Sequence, residues 1–211
     1  MLVGSRQSPA KPTGWPVSRP APRRSPLCSH QARGMAGLAL SVALAFLMTS
    51  VSLAKDPPGK LELKTTAFHA GGTIPTPYTC SGANISPALS WSQPPARTAS
   101  FVLIVDDPDA PGGTWVHWVV YDLPGSARQL PEQVPAGDAL AGGGKQGVND
   151  FPRNGYGGPC PPPGQPHRYF FRLYALDTVL DLHAPVHRRD VDAAMKGHIL
   201  AQAELMGTFG R

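Results

Sequence analysis

Ser100-Phe-Val-Leu-Ile-Val105 and Trp115-Val-His-Trp-Val-Val-Tyr121, separated by Asp106-Asp-Pro-Asp-Ala-Pro111, decide the fold. Both runs are short, β-branched and aromatic, and each ends in turn residues, the second in Asp122-Leu-Pro-Gly125. Such side chains suit a pleated surface, while Asp, Pro and Gly interrupt it, so the spacing predicts strands joined by tight connections. Upstream, Leu61-Glu-Leu-Lys-Thr65 and Ala88-Leu-Ser-Trp91 alternate in the same way. Downstream, His167-Arg-Tyr-Phe-Phe-Arg-Leu-Tyr-Ala-Leu176 is a third long strand. A helix is expected near Asp190–Gly197, with acids in its first turn and Gly197 near its end. Ile199 to Met206 reads as a last strand, because Gly197 interrupts before it and Gly207-Thr-Phe-Gly210 closes it. Glycine (23) and proline (25) are far too frequent in 211 residues for a helical bundle. The expected fold is therefore mainly β, an antiparallel sandwich with one or two short C-terminal helices.

The basic balance of the chain (19 Lys+Arg against 14 Asp+Glu) is unevenly placed. Residues 1–54 contain Arg6, Lys11, Arg19, Arg23, Arg24 and Arg33 and no acid, so the remainder is net −1. That body is not expected to bind nucleic acid. Residues 1–34, rich in Pro, Ser and Arg, read as a disordered basic extension, with Met35 an alternative start of translation. Residues 35–54 read as a signal peptide: an apolar run from Gly37 to Met48, then Ser52-Leu-Ala54 of small-x-small form. Thr49, Ser50 and Ser52 interrupt the apolar run before it reaches spanning length, although an uncleaved segment would anchor the chain. Cleavage after Ala54 leaves residues 55–211 as one domain, periplasmic or secreted, with no stable membrane span.

Chemistry-bearing residues gather at strand ends. Period-2 geometry places Trp115, His117, Val119 and Tyr121 on one face, and His167, Tyr169, Phe171 and Leu173 on one face of theirs. Asp107 and Asp109 follow a buried-looking strand in a turn set by Pro108 and Pro111. Imidazoles, a phenol and loop amides converging on a pocket would suit an oxyanion, with a carboxylate fixing a histidine tautomer. Two unrelated histidines satisfied by backbone carbonyls are the alternative. Gly142-Gly-Gly-Lys-Gln-Gly147 has the letters of a dinucleotide loop but lacks the flanking strand and helix, and Lys145 is not followed by Ser or Thr. No metal spacing is compelling and no cofactor is implied. The long stretch Pro131 to Gly164 is expected to be a functional loop.

Four ordered blocks resemble the phosphatidylethanolamine-binding protein family, in its bacterial Raf-kinase-inhibitor-like branch. They are Asp107-Pro-Asp-Ala-Pro111, Trp115-Val-His-Trp118, Gly155-Tyr-Gly-Gly-Pro-Cys-Pro161 and His167-Arg-Tyr-Phe170. Tyr78-Thr-Cys-Ser-Gly82, Ile85-Ser-Pro87 and Met195-Lys-Gly-His198 fit as well. The resemblance implies a β-sandwich with a small pocket for phosphate-like or phospholipid head groups, and no catalytic cycle. By motif, the ligand-binding set is Asp107, Pro111, His117, Gly158, His167 and Tyr169, with Asp109 adjacent. His117 and Tyr169 are the expected direct anion contacts, with the Gly158 amide beside them. A protein partner such as a kinase or protease is implied by analogy alone. Ser81 departs from the branch, which commonly has Asp there, and makes the rim less acidic.

Leader removal takes Cys28 and leaves Cys80 and Cys160, both in Gly/Pro-rich segments. In an oxidising compartment this even pair is open to two readings, a disulfide or two shielded thiols. The rival function is a secreted hydrolase with a His-Asp base and either Cys160 or an activated water as nucleophile.

Overall fold

The run Ser100–Asp107 is buried at every position, as a strand covered on both faces must be. The computed structural model describes residues 60–211; the basic extension and the expected signal peptide lie outside the described residues. In chain order the strands are β1 (Leu63–Lys64), β2 (Leu89–Trp91), β3 (Ser100–Asp107), β4 (Trp115–Pro124), β5 (Gln129–Leu130), β6 (Lys145–Gly147), β7 (His167–Leu176) and β8 (Ile199–Phe209). A single 3₁₀ turn, Thr76–Tyr78, precedes β2, and helix α1 (Arg188–Ala194) precedes β8. β3 sits at the middle of a five-stranded sheet of order β6-β4-β3-β7-β8, and β1-β2-β5 form a smaller sheet. Every pairing between these strands is antiparallel.

The two sheets close on one apolar layer. Phe101, Leu103 and Val105 of β3 and Phe171 and Leu173 of β7 meet Leu63, Leu89, Trp91 and Leu130 of the small sheet. Full burial of each such side chain stabilises the fold by roughly 1.5–3 kcal/mol. The opposite face of the large sheet packs Val102, Ile104, Val119 and Tyr121 against Val186, Val191 and Met195, around α1. On that side Asp106, 1% exposed, accepts hydrogen bonds from Arg172 and Arg188. Two arginines offset the desolvation of one carboxylate, which alone could not be buried in charged form.

One expectation needs correction. Val119 and Tyr121 do not share the face of His117. Val105 pairs with Trp118, but Asp106 pairs with Val116, so β4 carries an extra residue, His117, at that point. This β-bulge breaks the alternation and lets the residues on either side keep opposite faces. The Pro131–Gly164 segment contains β6, which pairs with β4 through Val119, Val120 and Tyr121. The helix starts at Arg188, two residues before Asp190; the Asp190 carboxylate reaches back to accept the His187 N–H at 2.9 Å. It ends just before Gly197, whose φ of 87° no other residue adopts cheaply. The last segment is a strand, as expected, because β8 pairs with β7 along most of its length.

Candidate functional site

The C-terminal end of β3, the bulge of β4 and the start of β7 open on one cavity of about 240 Å³. Its walls are Asp107, Ala110, Pro111, Trp115, His117, Phe151, Cys160, Pro161, Pro162 and His167. Of the expected ligand set, Asp107, Pro111, His117 and His167 therefore come together. They do so because β4 and β7 are the two neighbours of β3, so the ends of all three strands lie side by side.

Each imidazole is tied back at one nitrogen. His117 Nδ1 lies 2.6 Å from the Gly157 carbonyl oxygen, and the Gly157 N–H returns a bond to His117 O at 2.9 Å. His167 Nδ1 lies 2.8 Å from Asp107 Oδ2. A carbonyl and a carboxylate only accept, so both Nδ1 atoms carry the proton. Each Nε2 is left without a protein hydrogen bond among the described residues and is the atom available to a ligand. Burial pushes the His117 pKa below 6.5, opposed by the Gly157 carbonyl and the Asp107 charge. The ring is thus neutral near pH 7, with a lone pair on Nε2.

Asp107 is 3% exposed and holds the turn as well as the histidine, because its Oδ1 accepts the Asp109 N–H at 2.8 Å. Asp109 does not line the cavity. Its carboxylate takes the backbone and Nε protons of Arg168 at 2.9 Å each, and Nη2 at 2.7 Å. The guanidinium holds the Asp109 pKa down at about 2, so it stays ionised and engaged.

Tyr169 lies one layer deeper. Its ring stands edge-on to His117 with centroids 5.2 Å apart, and it has no exposed surface. The hydroxyl is buried beside the Asp107 carboxylate, without a hydrogen bond of regular geometry. Burial, reinforced by the Asp107 charge, raises its pKa far above 10. Gly158 is also behind the wall. Its N–H is already given to Asn84 Oδ1 at 2.7 Å, and an added Cβ would meet Tyr78 O at 2.5 Å. Gly158 therefore serves as a point of close packing rather than as a free donor. Ser81 lies outside the cavity lining.

The apolar rim was not singled out beforehand. Trp115, 39% exposed, and Phe151 stack edge-to-face at 5.4 Å, and Pro161 and Pro162 line the same cavity. The other missed residue is Asn149, buried under the site. Its Nδ2 donates to His117 O and Gly155 O at 3.2 and 2.8 Å, and its Oδ1 accepts the Phe151 and Arg153 N–H groups at 2.9 and 3.3 Å. A single amide thus joins the bulge to the loop that covers it. Neither a wall residue nor a four-way buried amide has a signature in local sequence.

Cys80 and Cys160 form a disulfide with Cα atoms 5.3 Å apart. In this oxidised state Cys160 has no thiol to act as a nucleophile. Among the described residues no group of three or more His, Cys, Asp or Glu side chains is placed to hold a metal ion, and no helix is long and apolar enough to cross a membrane.

A family model described as phosphatidylethanolamine-binding protein matches residues 64–210. A protein of Methanothermobacter thermautotrophicus named UPF0098 protein is 52% identical over 151 residues, covering 72% of this chain and 99% of its own. A namesake from Aquifex aeolicus is 50% identical over 153 residues, covering 72% and 89%. Among solved structures, a phosphatidylethanolamine-binding protein homologue of Chlamydia trachomatis is 42% identical with a TM-score of 0.66, covering 72% of this chain and 98% of its own. YbcL of E. coli, described as a member of the mammalian family, is 32% identical with the same TM-score of 0.66, covering 72% and 99%. The match spans both sheets and every wall of the cavity, and the chain belongs to the phosphatidylethanolamine-binding protein family.

Proposed function

We propose that this protein binds the phosphate or phosphoethanolamine-like head group of a small molecule or phospholipid in the Asp107–His117–His167 cavity. Binding, not turnover, is its activity, and the occupied cavity regulates a protein partner of the kinase or protease kind. The observation that carries the reading is the pair of imidazoles on one cavity, each tied at Nδ1 and open at Nε2. Protonated imidazole donors suit an oxyanion, and Asp107 offers an acceptor for the ammonium end of a zwitterion. The apolar rim of Trp115, Phe151 and prolines suits the carbon chain that such a head group carries. Export to an oxidising compartment is part of the proposal; the apolar segment before Ala54 and the disulfide support it.

Calorimetry with phosphoethanolamine tests the site. His117→Ala is expected to weaken binding by at least about tenfold, the worth of one charge-assisted hydrogen bond. Tyr169→Phe is expected to weaken it less, because the phenol lies behind the cavity wall, beside Asp107. Unchanged affinity in a folded His117→Ala protein would place the ligand elsewhere.

A further inference from the structure

The Cys80–Cys160 disulfide forms part of the cavity itself. Cys160 is one of the wall residues, between the Gly157 and Gly158 pair that anchors His117 and Asn84 and the Pro161 and Pro162 pair that also lines the cavity. Both half-cystines are solvent-exposed, whereas the residues from Gly155 to Pro159 are buried. Beyond Cys160 the chain runs through Pro161, Pro162, Pro163, Gly164, Gln165 and Pro166 before entering β7 at His167. Proline removes backbone donors from this stretch, so few bonds can hold it. Those present are Arg211 Nε to Pro161 O at 2.7 Å and a long Gly164 N–H to Arg211 O at 3.4 Å. On its other side the loop is better held, by Cys80 N–H to Pro159 O at 3.0 Å and by Gly158 to Asn84. The covalent bond therefore stands where hydrogen bonding gives out.

We infer that this disulfide is a redox-sensitive latch on the ligand cavity, which holds the Pro161–Pro162 wall closed when oxidised and releases it when reduced. The inference rests on the anion-site reading above and names a regulation of that same site. The reductant is a dithiol, such as a reduced thiol-disulfide oxidoreductase. One of its thiolates attacks an Sγ of the exposed pair, forming a mixed disulfide and expelling the other cysteine as a thiolate. The second thiol of the reductant then closes its own disulfide, leaving Cys80 and Cys160 as two free thiols. Two electrons and two protons have passed from dithiol to protein. The released wall keeps its residues but loses its preorganisation, and ligand binding must then order it.

The experiment uses the full chain in three forms: oxidised, reduced with dithiothreitol, and Cys80→Ser. Cys80 is outside the cavity lining, so this variant removes the bond without removing a wall residue. Hydrogen exchange reads the latch without any ligand. Faster exchange at the Cys80 and Gly164 amides, which donate to Pro159 O and Arg211 O, is the expected result on reduction, with β3 and β7 still protected. Unchanged exchange at both amides would overturn the latch. Calorimetry with phosphoethanolamine reads its consequence, an affinity about tenfold weaker in the reduced form and in Cys80→Ser. Equal affinity in the oxidised and reduced forms would also overturn the inference. Faster exchange with no binding by the oxidised protein would instead defeat the anion-site reading and leave the moving wall established. If Cys80→Ser fails to fold, the dithiothreitol arm decides alone.

Discussion

Anion binding is expected to take up a proton at His117. The Gly157 carbonyl, 2.6 Å from Nδ1, keeps the proton of the neutral ring on that atom, so Nε2 offers a lone pair to the cavity. Burial holds the pKa of the empty site below 6.5. An anionic oxygen against Nε2 stabilises the imidazolium, so the pKa of the occupied site is the higher of the two. Between those two values one proton binds with each anion. Affinity then weakens about tenfold per unit rise in pH, or about 1.4 kcal/mol. Above the occupied-site pKa and below the empty-site pKa the dependence vanishes. Phosphate monoesters blur the measurement, because their second pKa is about 6 and the shared proton can come from the ligand. Ethanolamine O-sulfate, which stays a monoanion at the ester across this range, isolates the contribution of the protein. Calorimetry near pH 7 in two buffers of different ionisation enthalpy gives the number of protons taken up. Uptake approaching one per sulfate ester is expected, and its loss in His117→Gln. Binding with zero uptake from about pH 5 to 8 would refute the reasoning.

The same depressed pKa makes the empty fold acid-sensitive: below about 6.5 the unfolded chain binds a proton that the fold does not. Stability measured by denaturant midpoint should be constant above that pH and fall by up to about 1.4 kcal/mol per unit below it, until the folded pKa is reached, and His117→Gln should flatten the fall. Cys80→Ser opens a covalent loop of sequence separation 80 and should cost roughly 2–4 kcal/mol, matched by reduction of the wild type in the same urea titration. Asn149→Ala strips partners from His117 O, Gly155 O and two amides; a loss of about 2–4 kcal/mol in thermal unfolding is expected, with weaker phosphoethanolamine binding in the protein that remains folded. Gly158→Ala forces a methyl to within 2.5 Å of Tyr78 O and 2.6 Å of Asn84 Oδ1, and should destabilise by about 1–3 kcal/mol or more on the same assay.

Strand identity was local information. β3 is a continuous β-branched and aromatic run buried at every position, and β7 alternates, so that His167, Tyr169, Phe171 and Leu173 do share one face. The pairing of Asp107 with His167 was foreseeable as a chemical fit, a carboxylate orienting an imidazole, but not as a contact across 60 residues. The face of His117 was not legible, because alternation assumes an unbroken ladder. The bulge is a property of the β3–β4 pair, set by which residue of each strand finds the other. β5 and β6 were too short to show a period, and pairing partners alone make them strands.

What the sequence determined by itself was the arrangement of side chains along each strand and the turns between them, since sterics within a few residues suffice for both. Tertiary structure alone decided three matters at the cavity. It spent the Gly158 amide on Asn84, 74 positions away, removing a donor that the motif seemed to offer. It set the Tyr169 hydroxyl behind the cavity wall beside the Asp107 carboxylate, out of the lining that the motif implied. And it brought the Cys80 and Cys160 Cα atoms to 5.3 Å, choosing the disulfide over two shielded thiols. Each of these is a distance between residues remote in the chain, and such distances are set by how two packed layers close on a common core, not by any local preference.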